Sequence, residues 1–75
     1  MTEQQRSEFF TEIAKIIQAP PGDITESTSL TRYVWDSLAW YSTVAALDDI
    51  FGKEVPAGKL ADCSTVRDIL FLVGE

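Results

Sequence analysis

The residue best placed to do chemistry is Ser37, in the run Asp36-Ser37-Leu38 where a polar stretch turns into a patterned helix. Its hydroxyl is expected at the surface and its backbone in the first helical turn. Free N–H groups and the helix dipole favour an attached phosphate there. A serine hydroxyl is a poor nucleophile unless a base activates it, and no neighbouring residue has the character of that base. Ser37 is therefore predicted to be modified by another protein rather than to act as a catalyst.

The residue inventory limits what the chain can do. It has 75 residues, no histidine and one cysteine. Without histidine, a Ser-His-Asp triad is impossible. Cys63 has no partner within the chain, so no internal disulfide can form, and it is expected to pack as a small apolar group. We therefore expect a single domain over residues 1–75 that is not an enzyme and lies in the reducing cytoplasm.

The charge pattern excludes several classes of partner. Twelve acidic and six basic residues give a net charge of −6. The Lys and Arg residues are scattered singly, whereas phosphate contacts need clustered cations, so no nucleic acid is expected. No apolar run approaches the ~20 residues that span a bilayer, so no membrane is expected. The acidic residues do not follow the spacing of an EF-hand, and no metal site is predicted.

Hydrophobic periodicity predicts an all-α fold, a small bundle of three main helices and one short one. The first helix is expected from about Glu3 to Gln18, capped by Thr2. The second should start after Asp36 as N-cap and end at Phe51, before Gly52.

The rest of the chain supplies a short helix, a last helix and a long loop. The short helical segment is expected within residues 57–62. Ser64 should cap the last helix, which runs from Thr65 to about Val73. A long loop over residues 23–35 separates the first two helices, and such loops are usually functional or pinned by their own side chains. Its expected anchors are Ile24, Leu30, Tyr33 and Val34.

Two faces of the second helix are distinguished by their spacing of ~100° per residue. One is predicted to face the core, and it carries Trp40, Val44, Leu47 and Phe51. The other is expected to be exposed, and its apolar residues suggest a surface for partner proteins. It carries Leu38, Tyr41, Ala45 and Asp48.

Four runs in order resemble the acyl carrier proteins, across roughly residues 4–73. They are Asp36-Ser37-Leu38, the helix end at residues 47–52, Val55-Pro56 and the capped start at residues 64–69. The resemblance implies that Ser37 carries 4′-phosphopantetheine, which a phosphopantetheinyl transferase takes from coenzyme A with the help of magnesium. It also implies that Asp36 caps the helix and helps to position that metal during transfer.

The resemblance further implies a carrier that holds acyl cargo as a thioester on the arm. Its expected partners are the transferase, an acyl- or aminoacyl-loading ligase, and downstream synthase or transferase enzymes. A monomer is expected. Because the chain begins at Met1 and ends close to its last helix, a free-standing carrier is favoured over a fused one.

The sequence departs from the family pattern around the attachment serine. Residues 33–35 read Tyr-Val-Trp where relatives often have Leu-Gly and a small residue. Ala39 and Ser42 are neutral where many relatives are acidic. Docking is therefore expected to depend on Leu38 and Tyr41 more than on salt bridges.

The sequence does not distinguish between fatty acyl, polyketide and aminoacyl or peptidyl groups as the cargo. The predicted cargo cavity is formed by Trp40, Val44 and Leu47. The Trp40 ring should narrow it, which favours a short or polar cargo over a long chain. Trp35 should either cover the core or contact the arm. An unmodified or phosphorylated helical interaction module is the alternative from another class.

Overall fold

Four α-helices build the protein, confirming the all-α prediction. The structure is a computed structural model that describes residues 1–74. Its helices are α1 (Glu3–Ile17), α2 (Ser37–Phe51), α3 (Ala57–Ala61) and α4 (Val66–Leu72). Two 3₁₀ turns, Pro21–Asp23 and Leu30–Arg32, lie in the loop before α2. Residues 1–74 contain no β-strand, only an isolated antiparallel bridge between Ser29 and Thr65. No helix in this range is both long and apolar enough to cross a membrane.

Capping residues determine where α1 begins and ends. The Thr2 hydroxyl accepts from the Gln5 N–H at 3.1 Å, and the Gln5 side chain accepts from the Thr2 N–H at 2.9 Å. This reciprocal pair is a capping box, and it confirms Thr2 as the N-cap. At the other end, Gln18 adopts a left-handed conformation with φ of 61°. The predicted last residue of the helix is thus its C-cap, and α1 ends at Ile17.

The core joins one apolar face from each helix. Its side chains with the least exposure come from α1, the long loop, α2, α3 and α4. They are Phe9, Ile13, Ile17, Leu30, Leu47, Leu60, Val66 and Ile69. In α4 and at its C-cap, the apolar residues Val66, Ile69, Leu70 and Val73 are buried in the core.

The core face of α2 is rotated from the predicted one: Leu47 is buried as predicted, and the other three predicted residues lie at its edge. The buried residues of α2 are Ala39, Thr43 and Leu47. Trp40, Val44 and Phe51 are only partly buried and pack at the edge of the core. The Thr43 hydroxyl donates to the Ala39 carbonyl oxygen at 2.8 Å, so it can be buried without an unpaired polar group. Small side chains at 39 and 43 therefore face the core, and the large Trp40 ring lies to one side.

The long loop is tied to α4 by its backbone. The Leu30 side chain is fully buried, as predicted. Three backbone hydrogen bonds join loop and helix start: Leu30 N–H to Ser64 O at 2.9 Å, Val66 N–H to Thr28 O at 3.1 Å, and Arg67 N–H to Glu26 O at 2.8 Å. These bonds satisfy polar groups that a structureless loop would leave unpaired.

One predicted loop anchor acts through its backbone instead of its side chain. Val34 is 37% exposed, so the expectation that it anchors the loop by burial was wrong. Its N–H donates to the Ile17 carbonyl oxygen at 3.0 Å. That bond links the end of α1 to the segment just before α2. Ile24 is buried and Tyr33 packs partly buried against the core, as expected.

The N-cap of α4 is Thr65 rather than the predicted Ser64. Its hydroxyl accepts from the Asp68 N–H at 3.4 Å. The Asp68 carboxylate accepts in return from the N–H groups of Ser64 at 2.9 Å and Thr65 at 3.1 Å. These two backbone bonds hold the pKa of Asp68 below its ordinary value of 3.8. The sequence signal missed here was the Thr-x-x-Asp spacing of a capping box.

We expect Asp68→Ala to lower the free energy of unfolding by about 1 kcal/mol at pH 7, because it removes the carboxylate that accepts the N–H groups of Ser64 and Thr65 in the capping box. A carboxyl whose pKa is lowered by folding stabilises the protein above its unfolded pKa of about 3.9 and loses that effect as the pH falls through its folded pKa. The loss should therefore shrink between pH 5 and pH 2.5. Urea unfolding of both proteins across that range measures it, with the exposed Asp49→Ala as control. An equal loss at every pH would contradict this assignment.

Candidate functional site

Ser37 is the first residue of α2 and is exposed. The residue before it, Asp36, has extended backbone and caps the helix, as predicted. Its Oδ1 accepts from the Ala39 N–H at 3.0 Å. This bond fixes where α2 begins, and so fixes the position of the Ser37 hydroxyl at the start of the helix.

The turn into α2 forms without glycine. Tyr33 and Asp36 have φ values of −121° and −129°. Positive φ occurs in residues 1–74 only at Gln18, Gly52 and Gly74. No residue between Tyr33 and Asp36 therefore needs the left-handed conformation that glycine favours. The departure from Leu-Gly in this segment is compatible with an ordinary capped helix start.

The start of α2 suits a phosphodiester on Ser37. The N–H groups of Ser37 and Leu38 make no hydrogen bond within the described part of the chain. The first turn of α2 contains no acidic side chain. Free N–H groups and the positive end of the helix dipole stabilise an attached anion. The arrangement can hold a phosphate but supplies no base for the serine.

The family of the chain follows from its sequence match. Residues 8–71 match the family model described as phosphopantetheine attachment site. The match covers most of the chain, which therefore belongs to this family. Its covalent cofactor is 4′-phosphopantetheine. No curated protein and no solved structure is significantly similar to the chain.

Membership of the family gives the general function. The protein is a phosphopantetheine-dependent carrier, and domains of this kind generally carry cargo without catalysing its reactions. They generally interact with a phosphopantetheinyl transferase and with synthase enzymes. Within residues 1–74, no three His, Cys, Asp or Glu side chains are grouped to hold a metal ion. A metal-positioning role for Asp36 during transfer stays a prediction from the family resemblance.

The predicted partner face of α2 is exposed. Leu38 is 75% exposed and Tyr41 is 66% exposed. Ala45 and Asp48 continue the exposed residues along the helix. No charged residue occurs between Asp36 and Asp48. Residues 37–47 of α2 thus carry no charge, in a chain whose net charge is −6.

The three residues predicted to form a cargo cavity lie at different depths in the structure. An open pocket of about 450 Å³ lies between α2 and the segment before α3. It is lined by Val44, Ala45, Asp48, Glu54, Val55 and Pro56. Of the three predicted residues, Val44 lines it, Leu47 is fully buried in the core, and Trp40 lies one turn nearer to Ser37.

Three residues that line the pocket were not predicted as site residues. Glu54, Val55 and Pro56 come after the end of α2 and meet Val44 and Ala45 only in the folded chain. The one sequence signal was the Val55-Pro56 pair, which formed part of the family resemblance. Ala45 and Asp48 line this pocket and are also exposed at the predicted partner face.

Cys63 is buried, as expected. Its Sγ donates to the Lys59 carbonyl oxygen at 3.5 Å. Burial, followed by the charges of Asp68 and Asp62, raises the pKa of the Cys63 thiol from 9.0 to about 11. The thiol is thus protonated at neutral pH, so the thiol available to form thioesters is the one at the end of the phosphopantetheine arm.

We expect alkylation of Cys63 in the folded, unmodified protein to accelerate about tenfold per pH unit between pH 8 and pH 10, because the thiolate fraction is still rising there. In the chain unfolded with urea, the rate should level off near the ordinary pKa of 9.0. Maleimide or iodoacetamide kinetics followed by mass spectrometry measure both. A plateau near pH 9 in the folded protein would show that the thiol is not shielded as described.

Proposed function

We propose that this protein holds acyl intermediates as thioesters on a 4′-phosphopantetheine arm attached to Ser37 and delivers them to separate enzymes of a biosynthetic pathway. The observation that carries the proposal is the exposed Ser37 at the capped start of α2, within the matched residues 8–71. The free N–H groups of the first turn support an anion at this place.

The attachment step needs a base from outside the chain. As the Ser37 Oγ bonds to the phosphorus on the pantetheine side, the diphosphate bond of coenzyme A breaks and adenosine 3′,5′-bisphosphate leaves. The proton of the hydroxyl passes to a base of the transferase. The chain has no histidine, and the Asp36 carboxylate already accepts the Ala39 N–H. What Ser37 contributes is a fixed and accessible hydroxyl.

The pocket beside α2 supports a short or polar acyl cargo. Its lining includes the carboxylates Asp48 and Glu54 besides Val44, Ala45 and Val55. A long saturated chain would place methylenes against polar groups and would gain little of the ~0.8 kcal/mol available per buried methylene. Polyketide-type or other oxygenated acyl groups fit this lining better than long fatty chains. An aminoacyl carrier would use the same arm.

We also propose that the protein works as a monomer in the cytoplasm. A reducing compartment keeps the terminal thiol of the arm free to form thioesters. The same compartment keeps Cys63 reduced, in line with its burial.

The mass of the protein tests the attachment directly. After incubation with coenzyme A, magnesium and a broad-specificity transferase, the wild-type protein should gain one phosphopantetheine group. Ser37→Ala should gain none while keeping its helical circular dichroism, because the exposed hydroxyl makes no hydrogen bond in the described structure. Intact-mass spectrometry reads both.

Ser42→Ala is the matched control, since it makes the same change at another serine of α2. It should be modified like the wild type. No mass gain with several transferases, or a gain that survives Ser37→Ala, would overturn the carrier proposal. The protein would then be better described as an unmodified interaction module.

The apolar face of α2 is proposed to dock the partner enzymes through Leu38, Tyr41, Ala45 and Asp48. Tyr41 supplies the largest exposed side chain of this face. Exposed aromatic residues often contribute most to binding. The neutral stretch around Ser37 gives little scope for salt bridges.

We expect Tyr41→Ala to lower kcat/KM of the transferase or a cognate partner about tenfold, because the loss of a central aromatic contact costs more than 1 kcal/mol. Unfolding stability should change by less than about 0.5 kcal/mol, since the residue is 66% exposed. Ser27→Ala, in the loop, should change neither value appreciably. Unfolding caused by Tyr41→Ala would instead show that the ring supports the core.

A further inference from the structure

Two buried donor groups flank the attachment site in sequence without a protein partner. The indole nitrogens of Trp35 and Trp40 each have less than 1 Å² of exposed surface. Neither donates a hydrogen bond to any acceptor in residues 1–74. A buried N–H without an acceptor costs free energy, and such groups are rare in folded proteins.

Trp40 lies between Ser37 and the open pocket. Residues spaced by three or four positions share a face of a helix, so Ser37, Trp40 and Val44 follow one another along α2. Val44 lines the pocket, and its backbone lies about 10 Å along the helix axis from Ser37. Trp40 therefore lies on the helix face that joins Ser37 to Val44, beside one route that an arm can take to this pocket.

The burial of the indole nitrogen restricts which group can reach it. Bulk water does not contact the atom, although the rest of the Trp40 side chain is partly exposed. Because the atom is covered, an acceptor reaches it only where the packing around Trp40, at the edge of the core, moves aside. A cargo group tethered at Ser37, one helical turn from Trp40, has a high effective concentration for contact with the indole N–H.

We infer that the Trp40 indole N–H is a hydrogen-bond donor for a carbonyl oxygen of the cargo, and that the protein accordingly carries acyl groups with an oxygen beyond the thioester. This inference rests on the proposed attachment at Ser37. A 3-oxoacyl group brings a carbonyl acceptor to the buried donor. A saturated chain of the same length offers no acceptor, so the buried N–H stays unpaired and continues to destabilise the folded protein.

Trp35 provides an internal reference. It precedes the N-cap of α2, so no helical register places it on the line from Ser37 to the pocket. Its ring packs against the core, and its N–H is unpartnered like that of Trp40. The chain has two tryptophans, so the two indole N–H signals can be assigned by single substitutions.

The experiment compares two cargoes that differ in one oxygen. The transferase loads ¹⁵N-labelled protein from butyryl-coenzyme A or from 3-oxobutyryl-coenzyme A, and mass spectrometry confirms each product. In the 3-oxobutyryl form, the Trp40 indole proton should shift downfield relative to the butyryl form and to the arm without cargo. The Trp35 signal should shift less.

A thermodynamic cycle tests the same bond. The 3-oxobutyryl form should be more stable than the butyryl form by about fivefold in the unfolding equilibrium constant, the worth of a typical net hydrogen bond. Trp40→Phe keeps an aromatic ring without the N–H and should abolish that difference. Trp35→Phe should preserve it.

Each other result contradicts the inference. One such result is a Trp40 indole proton that shifts equally, relative to the unmodified protein, in the butyryl form, the 3-oxobutyryl form and the form whose arm has no cargo. That result would assign the acceptor to the arm itself and remove the argument for an oxygenated cargo. No shift, a shift confined to Trp35, or a stability difference that survives Trp40→Phe would exclude Trp40 as the donor. Failure of the proposed attachment is seen separately, as the absence of any mass gain at Ser37.

Discussion

The hydrogen bond from the Ala39 N–H to the Asp36 carboxylate is the interaction on which the site depends. It ends the long loop and starts α2 at Ser37, the residue whose hydroxyl has to be reached by another protein. Within residues 1–74 the Asp36 carboxylate makes this bond and none to the Ser37 hydroxyl. One short polar contact thus fixes the position of an exposed serine.

The loop before α2 holds this start in place through backbone bonds. It is joined to the start of α4 by three such bonds and to the end of α1 by the bond from Val34 to Ile17. Glu26 adds ion pairs from its carboxylate to Arg6 at 2.9 Å and to Arg67 at 3.8 Å. The loop is therefore a fixed support for the attachment point, in spite of its length and polar composition.

Helix existence, the caps of α1 and α2 and the position of Ser37 could be predicted because each has a local signal in the sequence. The core face of α2 could not, because a periodicity count gives weight to Trp40 and Val44 and none to Thr43. Thr43 is buried because its hydroxyl is satisfied by its own helix. The pocket wall at Glu54 and Val55 depends on how α2 meets the segment before α3, which no local signal encodes.

The central claim is that the first residue of α2, placed by the Asp36 cap, receives the arm. Exchanging the two residues after Asp36, as Ser37→Leu with Leu38→Ser, keeps the composition and the cap but moves the hydroxyl by one position, about 100° around the helix. Tandem mass spectrometry after transferase treatment locates the arm. We predict phosphopantetheine on Ser37 alone in the wild type and none in the exchanged protein, with both folded by circular dichroism. Efficient modification of the serine at position 38, or of any other serine in the wild type, would contradict the account.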